Sequence, residues 1–171
     1  MLLKLSPSLW AISNQLLLPT PFPEKKYDVF INFRGGDTRD CFTSHLYEAL
    51  CRKQIETFID YELTKGDEIS PALMTAINES KISVVIFSKD YATSKWCLSE
   101  LVEILKCKKM NNHIVLPVFY RVVPSDVRHQ TGSFKDSFVE HETNLQKEVK
   151  TWREALAEAC GISRWHSFVG R

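Results

Sequence analysis

One acidic side chain, Glu100, stands out in the stretch YATSKWCLSELVEIL. At about 100° per residue the leucines of this stretch form a core face, and Glu100 points away from it. Its neighbours four residues before and after are Trp96 and Ile104, and no Lys or Arg lies at helical spacing from it. Glu103 also points away, but with Lys106 three residues on it predicts an ordinary solvated ion pair. Helix geometry alone leaves Glu100 as either a surface carboxylate or a group between apolar side chains, where exclusion of water strengthens its attraction for positive charge.

Basic side chains occur in the turn-rich stretch FRGGDTRD, which follows an apolar run. Arg34 and Arg39 could bind phosphate groups, and backbone N–H groups around Gly35 could approach phosphates closely. The same arginines could instead pair with Asp37 and Asp40. The stretch lacks the GxGxxG spacing of dinucleotide-binding folds, so its signal alone is weak.

Metal and disulfide chemistry are not expected. The lone histidines show no helical or hairpin cluster of ligands: His113, His129 and His166. The five cysteines contain no CxxC pair, which disfavours a zinc site or a disulfide framework and favours a reducing compartment. We therefore predict no metal and no bound cofactor.

Length and composition describe one ordinary globular domain. The chain has 171 residues, of which 44% are hydrophobic and 25% charged, with a formal net charge of +1. That charge gives no reason to expect binding to nucleic acid or to an anionic membrane. Residues 1–25 are expected to be a disordered or targeting tail, and no run approaches the roughly 20 apolar residues of a membrane span.

From Tyr27 onward, predicted strands alternate with predicted helices. The strands are YDVFINF, ETFID, KISVVIFS, HIVLPVFY and a final one in GISRWHSFVGR. Helices are predicted after a cap at Asp37 or Thr38, near Pro71, around Glu100, near 133–141 and over about 144–160. This alternation predicts a mainly parallel α/β sheet, whose ligand crevice lies beyond the carboxyl ends of the strands. The crevice would be lined by residues 33–39, 60–69, 88–96 and 120–132.

Four stretches occur together in one order and spacing: DVFINFRGGDTRDCFTSHLYEAL, FIDYELTKGDEI, SKDYATSKWCLSEL and VLPVFYRVVPSDVRHQTGSF. In these the chain resembles the plant-type TIR (Toll/interleukin-1 receptor) domain of TIR-NB-LRR immune receptors. The resemblance implies a flavodoxin-like three-layer α/β fold with a central five-stranded parallel sheet. It places the TIR domain at residues 26–171, as a short form that lacks the family's last helix.

The resemblance also implies roles for particular residues. Glu100 takes the place of the family's catalytic carboxylate. The nucleotide pocket would be lined by Phe33, Arg34, Gly35, Asp37, Arg39 and Trp96. Self-association would involve Ser44 and His45 on one helix, and Lys65, Gly66 and Asp67 in the loop over 60–69. Three residues depart from the family pattern: Lys65 replaces a more usual Arg, and Arg121 and Val123 stand where acidic residues are common.

The function implied is a self-associating signalling domain that hydrolyses NAD+ to nicotinamide and ADP-ribose, or cyclic variants, in plant innate immunity and cell death. Its partners would be NAD+ and other TIR domains, in the cytoplasm or the nucleus, with organelle targeting by the tail left open. Nicotinamide leaves as a neutral group, so the site needs no general acid and one carboxylate can stabilise the ribosyl cation. The alternative is a non-catalytic TIR adaptor or decoy that acts only through TIR–TIR binding.

Overall fold

Four parallel strands form the sheet of the computed structural model, which describes residues 25–60, 70–143 and 145–162. They are β1 (Tyr27–Phe33), β2 (Thr57–Ile59), β3 (Ser80–Phe87) and β4 (Ile114–Phe119). Their order across the sheet is β2-β1-β3-β4. In the register, Val29 is opposite Thr57 and Ile82, and Ile82 is opposite Ile114.

Helices connect these strands. They are α1 (Gly35–Thr38), α2 (Ser44–Arg52), α3 (Pro71–Asn78), α4 (Lys95–Asn111), α5 (Pro124–His129), α6 (Ser133–Glu142) and α7 (Gln146–Ile162). A π-helical turn, Arg39–Thr43, joins α1 to α2, and a 3-10 turn, Tyr91–Thr93, precedes α4. Parallel neighbours require such crossovers, since a tight turn can only join antiparallel strands.

Two hydrophobic cores lie on opposite faces of the sheet, because successive side chains of a strand point to opposite sides. Phe30 of β1 belongs to the larger core, which also contains Leu101 of α4 and Leu156 of α7. Val29 and Ile31 belong to the smaller core under α2. The predicted three-layer, flavodoxin-like α/β architecture is therefore confirmed. The apolar run of β3 is buried from Ser83 to Phe87 with both faces covered, as its composition predicts.

The strand count differs from the prediction, because the described sheet has four strands rather than five. The fifth strand was expected in the stretch that begins at Gly161. Gly161 and Ile162 instead form the end of α7, since the helical pattern continues past the expected end at Cys160. The rest of that stretch, 163–171, lies outside the described residues, as do 1–24 of the predicted tail and 61–69 of the predicted interface loop.

Two local predictions are wrong for identifiable reasons. The first helix begins at Gly35 and not after a cap at Asp37 or Thr38, because the Asp37 carboxylate bonds Ser88 and Asp90 of the loop after β3. The stretch 120–132, read as a loop, contains α5, which begins with Pro124 at a position where proline needs no hydrogen-bond partner.

Candidate functional site

Glu100 lies in the second turn of α4, whose start is fixed by its sequence. Ser94 caps the helix, its side-chain oxygen accepting from the Cys97 backbone N–H at 3.3 Å. Leu98 and Leu101 are fully buried in the larger core. The Ser94 cap and the two buried leucines fix the position of this turn of α4. Glu100, on another side of the same turn, therefore lies against the carboxyl end of β1.

The carboxylate of Glu100 is bound by an amide from that strand. Asn32 Nδ2 donates to Glu100 Oε2 at 2.7 Å, and Asn32 is fully buried. Tyr91, also fully buried, donates its hydroxyl to Asn32 Oδ1 at 2.6 Å and approaches the Cys97 carbonyl oxygen at 3.0 Å. Asn32, Tyr91 and Glu100 therefore form one continuous network, which we call the Asn32 network.

Burial raises the pKa of Glu100 from its ordinary 4.5 to about 7. The hydrogen bond from Asn32 acts in the opposite direction, and the negative charge of Asp60 at the end of β2 raises the pKa further. Ile104, one turn on, is fully buried, and Trp96, one turn back, is partly buried. Glu100 thus lies partly buried beside the end of β1 and is partly desolvated, which agrees with the second of the two alternatives that helix geometry left open.

The loop after β1 is tied to the loop after β3. Arg34 Nη1 lies 3.0 Å from Asp37 Oδ1, and Arg34 Nε donates to Thr93 Oγ1 at 2.8 Å. The other oxygen of Asp37 accepts from Ser88 Oγ at 2.5 Å and from the Asp90 backbone N–H at 2.9 Å. The sequence left Arg34 free to bind phosphate or to pair with Asp37, and in the structure it pairs with Asp37. Asp37 holds the two loops together.

Glycines in this loop make room for the arginines. A Cβ on Gly35 would lie 2.7 Å from Arg39 Nη2, and one on Gly36 would lie 2.6 Å from Arg34 Nη1. The Arg39 guanidinium also lies 6.0 Å from the centre of the Phe33 ring. A larger residue at either glycine would displace a guanidinium group, so the RGGD spacing positions both cations beside the end of β1.

Trp96 lines a cleft of about 430 Å³ between the start of α4 and the end of α6, together with Lys95, Glu140, His141 and Leu145. Glu100 does not line this cleft. The end of β1, where Glu100 is held, therefore also carries five of the predicted pocket residues, Phe33 in the strand itself and Arg34, Gly35, Asp37 and Arg39 in the segment that follows. Trp96 instead faces a neighbouring surface.

The predicted self-association residues are only partly described. Ser44 Oγ donates to the Cys41 carbonyl oxygen at 3.0 Å, and the exposed His45 bonds the same oxygen through Nδ1. Both lie at the start of α2. Lys65, Gly66 and Asp67 lie outside the described residues. Two residues that depart from the family pattern are also described. Arg121 has a left-handed backbone, with φ of 55°, and its guanidinium lies over the Tyr120 ring. Val123 is the N-cap residue of α5 and forms no side-chain hydrogen bond there.

Asn32 and Tyr91 were not identified from sequence. The available signal was the one amide in the apolar strand YDVFINF, since a polar side chain in a buried strand needs a hydrogen-bond partner. Glu103 was read as solvated but is buried, with 8% of its surface exposed. Helical periodicity could not show that Asn78 of α3 packs against it.

Other chemistries find little support in the described residues. Burial raises the pKa of the Cys97 thiol to about 12, so it is not a ready nucleophile beside Glu100. No group of three or more His, Cys, Asp or Glu side chains within the described ranges could hold a metal ion. None of the helices described is long and apolar enough to cross a membrane.

A model of the TIR domain family matches residues 26–169. The chain belongs to the TIR domain family. The disease resistance protein RPV1 of Vitis rotundifolia is 52% identical over 140 residues, covering 82% of this chain and 10% of that protein. The TMV resistance protein N of Nicotiana glutinosa is 51% identical over 140 residues, covering 80% of this chain and 12% of that protein. This TIR domain thus spans about a tenth of the length of these curated relatives.

A solved structure resembles this TIR domain in fold and in sequence. The TIR domains in the structure of the activated Roq1 resistosome, which directly recognises the pathogen effector XopQ, align with a TM-score of 0.77 at 50% identity. The alignment covers 81% of this chain and 86% of that one. It supports the flavodoxin-like fold of the TIR domain seen here.

Proposed function

We propose that this TIR domain, when self-associated, hydrolyses the bond between nicotinamide and ribose in NAD+, with Glu100 as the catalytic carboxylate. The observation that carries the proposal is the placement of Glu100: desolvated, hydrogen-bonded to Asn32 and beside the loop after β1. The proposal extends to a signalling role in plant disease resistance through assembly with other TIR domains, in line with the names of its relatives.

The chemistry suits a site with one carboxylate. As the glycosidic bond breaks, its electron pair leaves with nicotinamide, which becomes neutral, and positive charge develops on the ribose. A carboxylate fixed in a water-poor site stabilises that charge without reorganising. Water then adds to the ribose and loses a proton, which a base with a pKa near 7 can accept at neutral pH. The products are nicotinamide, ADP-ribose and a proton.

The loop after β1 would hold the rest of the substrate. Arg39 and the backbone around Gly35 lie where diphosphate oxygens could approach the end of β1. Arg34 is already paired with Asp37, so it would keep that loop in shape or exchange its partner for a phosphate. The same pairing favours the second candidate function, a non-catalytic adaptor that binds other TIR domains, because it satisfies a cation that the pocket would use.

Release of free nicotinamide distinguishes the two functions. The purified domain at increasing concentration is incubated with NAD+, and the wild type is compared with Glu100→Ala and with the matched control Glu103→Gln on the same helix. We expect turnover that rises with protein concentration, a loss of about 10²- to 10³-fold in Glu100→Ala, and little change in Glu103→Gln.

Circular dichroism verifies that each variant is folded. Normal turnover by folded Glu100→Ala would remove Glu100 from the mechanism. A folded wild type that yields no nicotinamide even when concentrated would favour the adaptor.

A further inference from the structure

We propose that Asn32 is a positioning residue, held by Tyr91, which fixes the Glu100 carboxylate toward the crevice and favours its charged form. This inference deepens the proposed function and rests on it for the catalytic consequence. Its structural part, the control of the Glu100 carboxylate by Asn32, is measurable without any substrate.

The orientation of the Asn32 amide follows from the groups around it. An ionised Glu100 carboxylate and the Cys97 carbonyl oxygen can only accept hydrogen bonds, and Asn32 Nδ2 lies 2.7 Å from the first and 3.4 Å from the second. The NH₂ group of Asn32 therefore faces these two oxygens, and its amide oxygen faces the Tyr91 hydroxyl, which donates to it at 2.6 Å. A reversed amide would place its oxygen against both the carboxylate and the Cys97 carbonyl oxygen, where neither can donate to it.

The side chains of the Asn32 network are held in place by the sheet and by the packing around Tyr91. Asn32 lies in β1, where it pairs in register with Val85 of the central strand β3. Tyr91 packs edge-on against the Phe87 ring with 4.9 Å between ring centres. Asn32 and Tyr91 are both fully buried, so the hydrogen bond between them does not compete with bulk water, whereas the bond from Asn32 ends on the partly buried Glu100. A buried and fully paired polar network of this kind fixes a single geometry.

Several groups face Glu100, and among those resolved only Asn32 favours its charged form. Burial and the carboxylate of Asp60 at the end of β2 both disfavour ionisation. The Tyr91 and Cys97 side chains, from the 3-10 turn and from α4, are neutral. The amide of Asn32 donates to the carboxylate and stabilises it. Without that bond the pKa of Glu100 would be higher still, and a smaller fraction of the carboxyl group would be ionised at neutral pH.

The test compares Asn32→Leu with Asn78→Leu. The control removes an equivalent amide, since Asn78 Nδ2 donates to Glu103 on the same helix at 3.4 Å. Carboxyl ¹³C NMR of glutamate-labelled protein, assigned with Glu100→Gln, gives the titration midpoint of Glu100 without NAD+. We expect Asn32→Leu to raise this midpoint by about one to two pH units. Asn78→Leu should leave it unchanged.

The catalytic consequence of the proposal is tested by measuring the rate of nicotinamide release as a function of pH. In Asn32→Leu we expect kcat at pH 7 to fall by about tenfold and to recover toward pH 9, with KM changed less than kcat. A merely structural defect would not be rescued by higher pH. Tyr91→Phe removes only the hydroxyl that orients the amide and should raise the titration midpoint of Glu100 by a smaller amount. It provides the same test if Asn32→Leu does not fold.

The outcomes separate the two proposals. A Glu100 midpoint unchanged in a folded Asn32→Leu or Tyr91→Phe variant overturns the role of Asn32, whatever the activity. A shifted midpoint in a protein whose wild type releases no nicotinamide supports the control of Glu100 by Asn32 and counts against hydrolysis. A shifted midpoint with pH-rescued turnover supports both.

Discussion

Glu100 and Glu103 lie three residues apart on α4, and each accepts a hydrogen bond from an asparagine of another element. Asn32 donates to Glu100 at 2.7 Å from the carboxyl end of β1, and Asn78 donates to Glu103 at 3.4 Å from the last turn of α3. One carboxylate therefore faces the crevice edge of the sheet, and the other faces a helix–helix contact. Their surroundings otherwise differ mainly in charge.

Exposure does not explain the difference between them. Glu103 is the more buried of the two, yet Lys106 Nζ lies 3.3 Å from its carboxylate. Within the part of the chain that the structure describes, Glu100 forms no ion pair, and the resolved charge acting on it is the carboxylate of Asp60. The same residue type on the same helix is compensated at one position and left uncompensated at the other. A partly buried carboxylate that is desolvated without a cation beside it costs stability, and such sites are candidates for function.

Glu100→Gln should stabilise the protein, and the gain should depend on pH. The pKa of Glu100 in the folded state, about 7, lies above its ordinary 4.5, so between these values the native state binds more protons than the unfolded state. Stability then decreases as pH rises through this window, and the full penalty, about 3 kcal/mol, is present above pH 7.

Urea unfolding at pH 4 and pH 8 measures the free energy of unfolding of both proteins. We expect Glu100→Gln to exceed the wild type by about 3 kcal/mol at pH 8 and to match it near pH 4. Equal stability of the two at both pH values would mean that Glu100 is well solvated, and the contrast with Glu103 would disappear.

The architecture could be predicted from the sequence because the hydrophobic periods of strands and helices are set by residues close together in the chain. The apolar run of β3 and the alternation of elements predicted the parallel sheet and its central strand. The flanks of Glu100 showed that Trp96 and Ile104 are its helical neighbours, but they left open whether the carboxylate is on the surface or between apolar side chains.

What sequence reasoning missed depends on contacts between distant residues. Asn32 and Glu100 are separated by 68 positions. The sequence predicts a solvated Glu103 because a helical wheel shows the spacing to Lys106 but not the packing of Asn78, 25 residues away, against the carboxylate. The cap at Asp37 failed for the same reason, since its carboxylate bonds a loop 51 residues away.

Glu103→Ala should have the opposite effect on stability. Removing this carboxylate takes an acceptor from Asn78 Nδ2 and from the Cys107 thiol and leaves space in a buried contact. We expect a loss of about 1–3 kcal/mol in the free energy of unfolding at pH 8, with nicotinamide release retained where the variant is folded. Urea unfolding checks the first part. A Glu103→Ala protein as stable as the wild type would show that its burial is no better compensated than that of Glu100.

The smallest expected effect concerns Lys106, and it decides what compensates Glu103. Lys106 has 60% of its side chain exposed, so solvent screens its attraction for the carboxylate. A double-mutant cycle with Lys106→Met and Glu103→Gln, measured by urea unfolding at pH 8, should give a coupling below about 1 kcal/mol.

A coupling of that size would assign most of the compensation of Glu103 to hydrogen bonds from Asn78 and Cys107. The two carboxylates would then differ mainly in how completely neutral donors surround them. A coupling above about 2 kcal/mol would instead make the lysine decisive, because a mostly exposed cation rarely contributes so much unless the pair is held rigidly. The lack of a cation at helical spacing, which is visible in the sequence around Glu100, would in that case be the main reason that its charge is costly to bury.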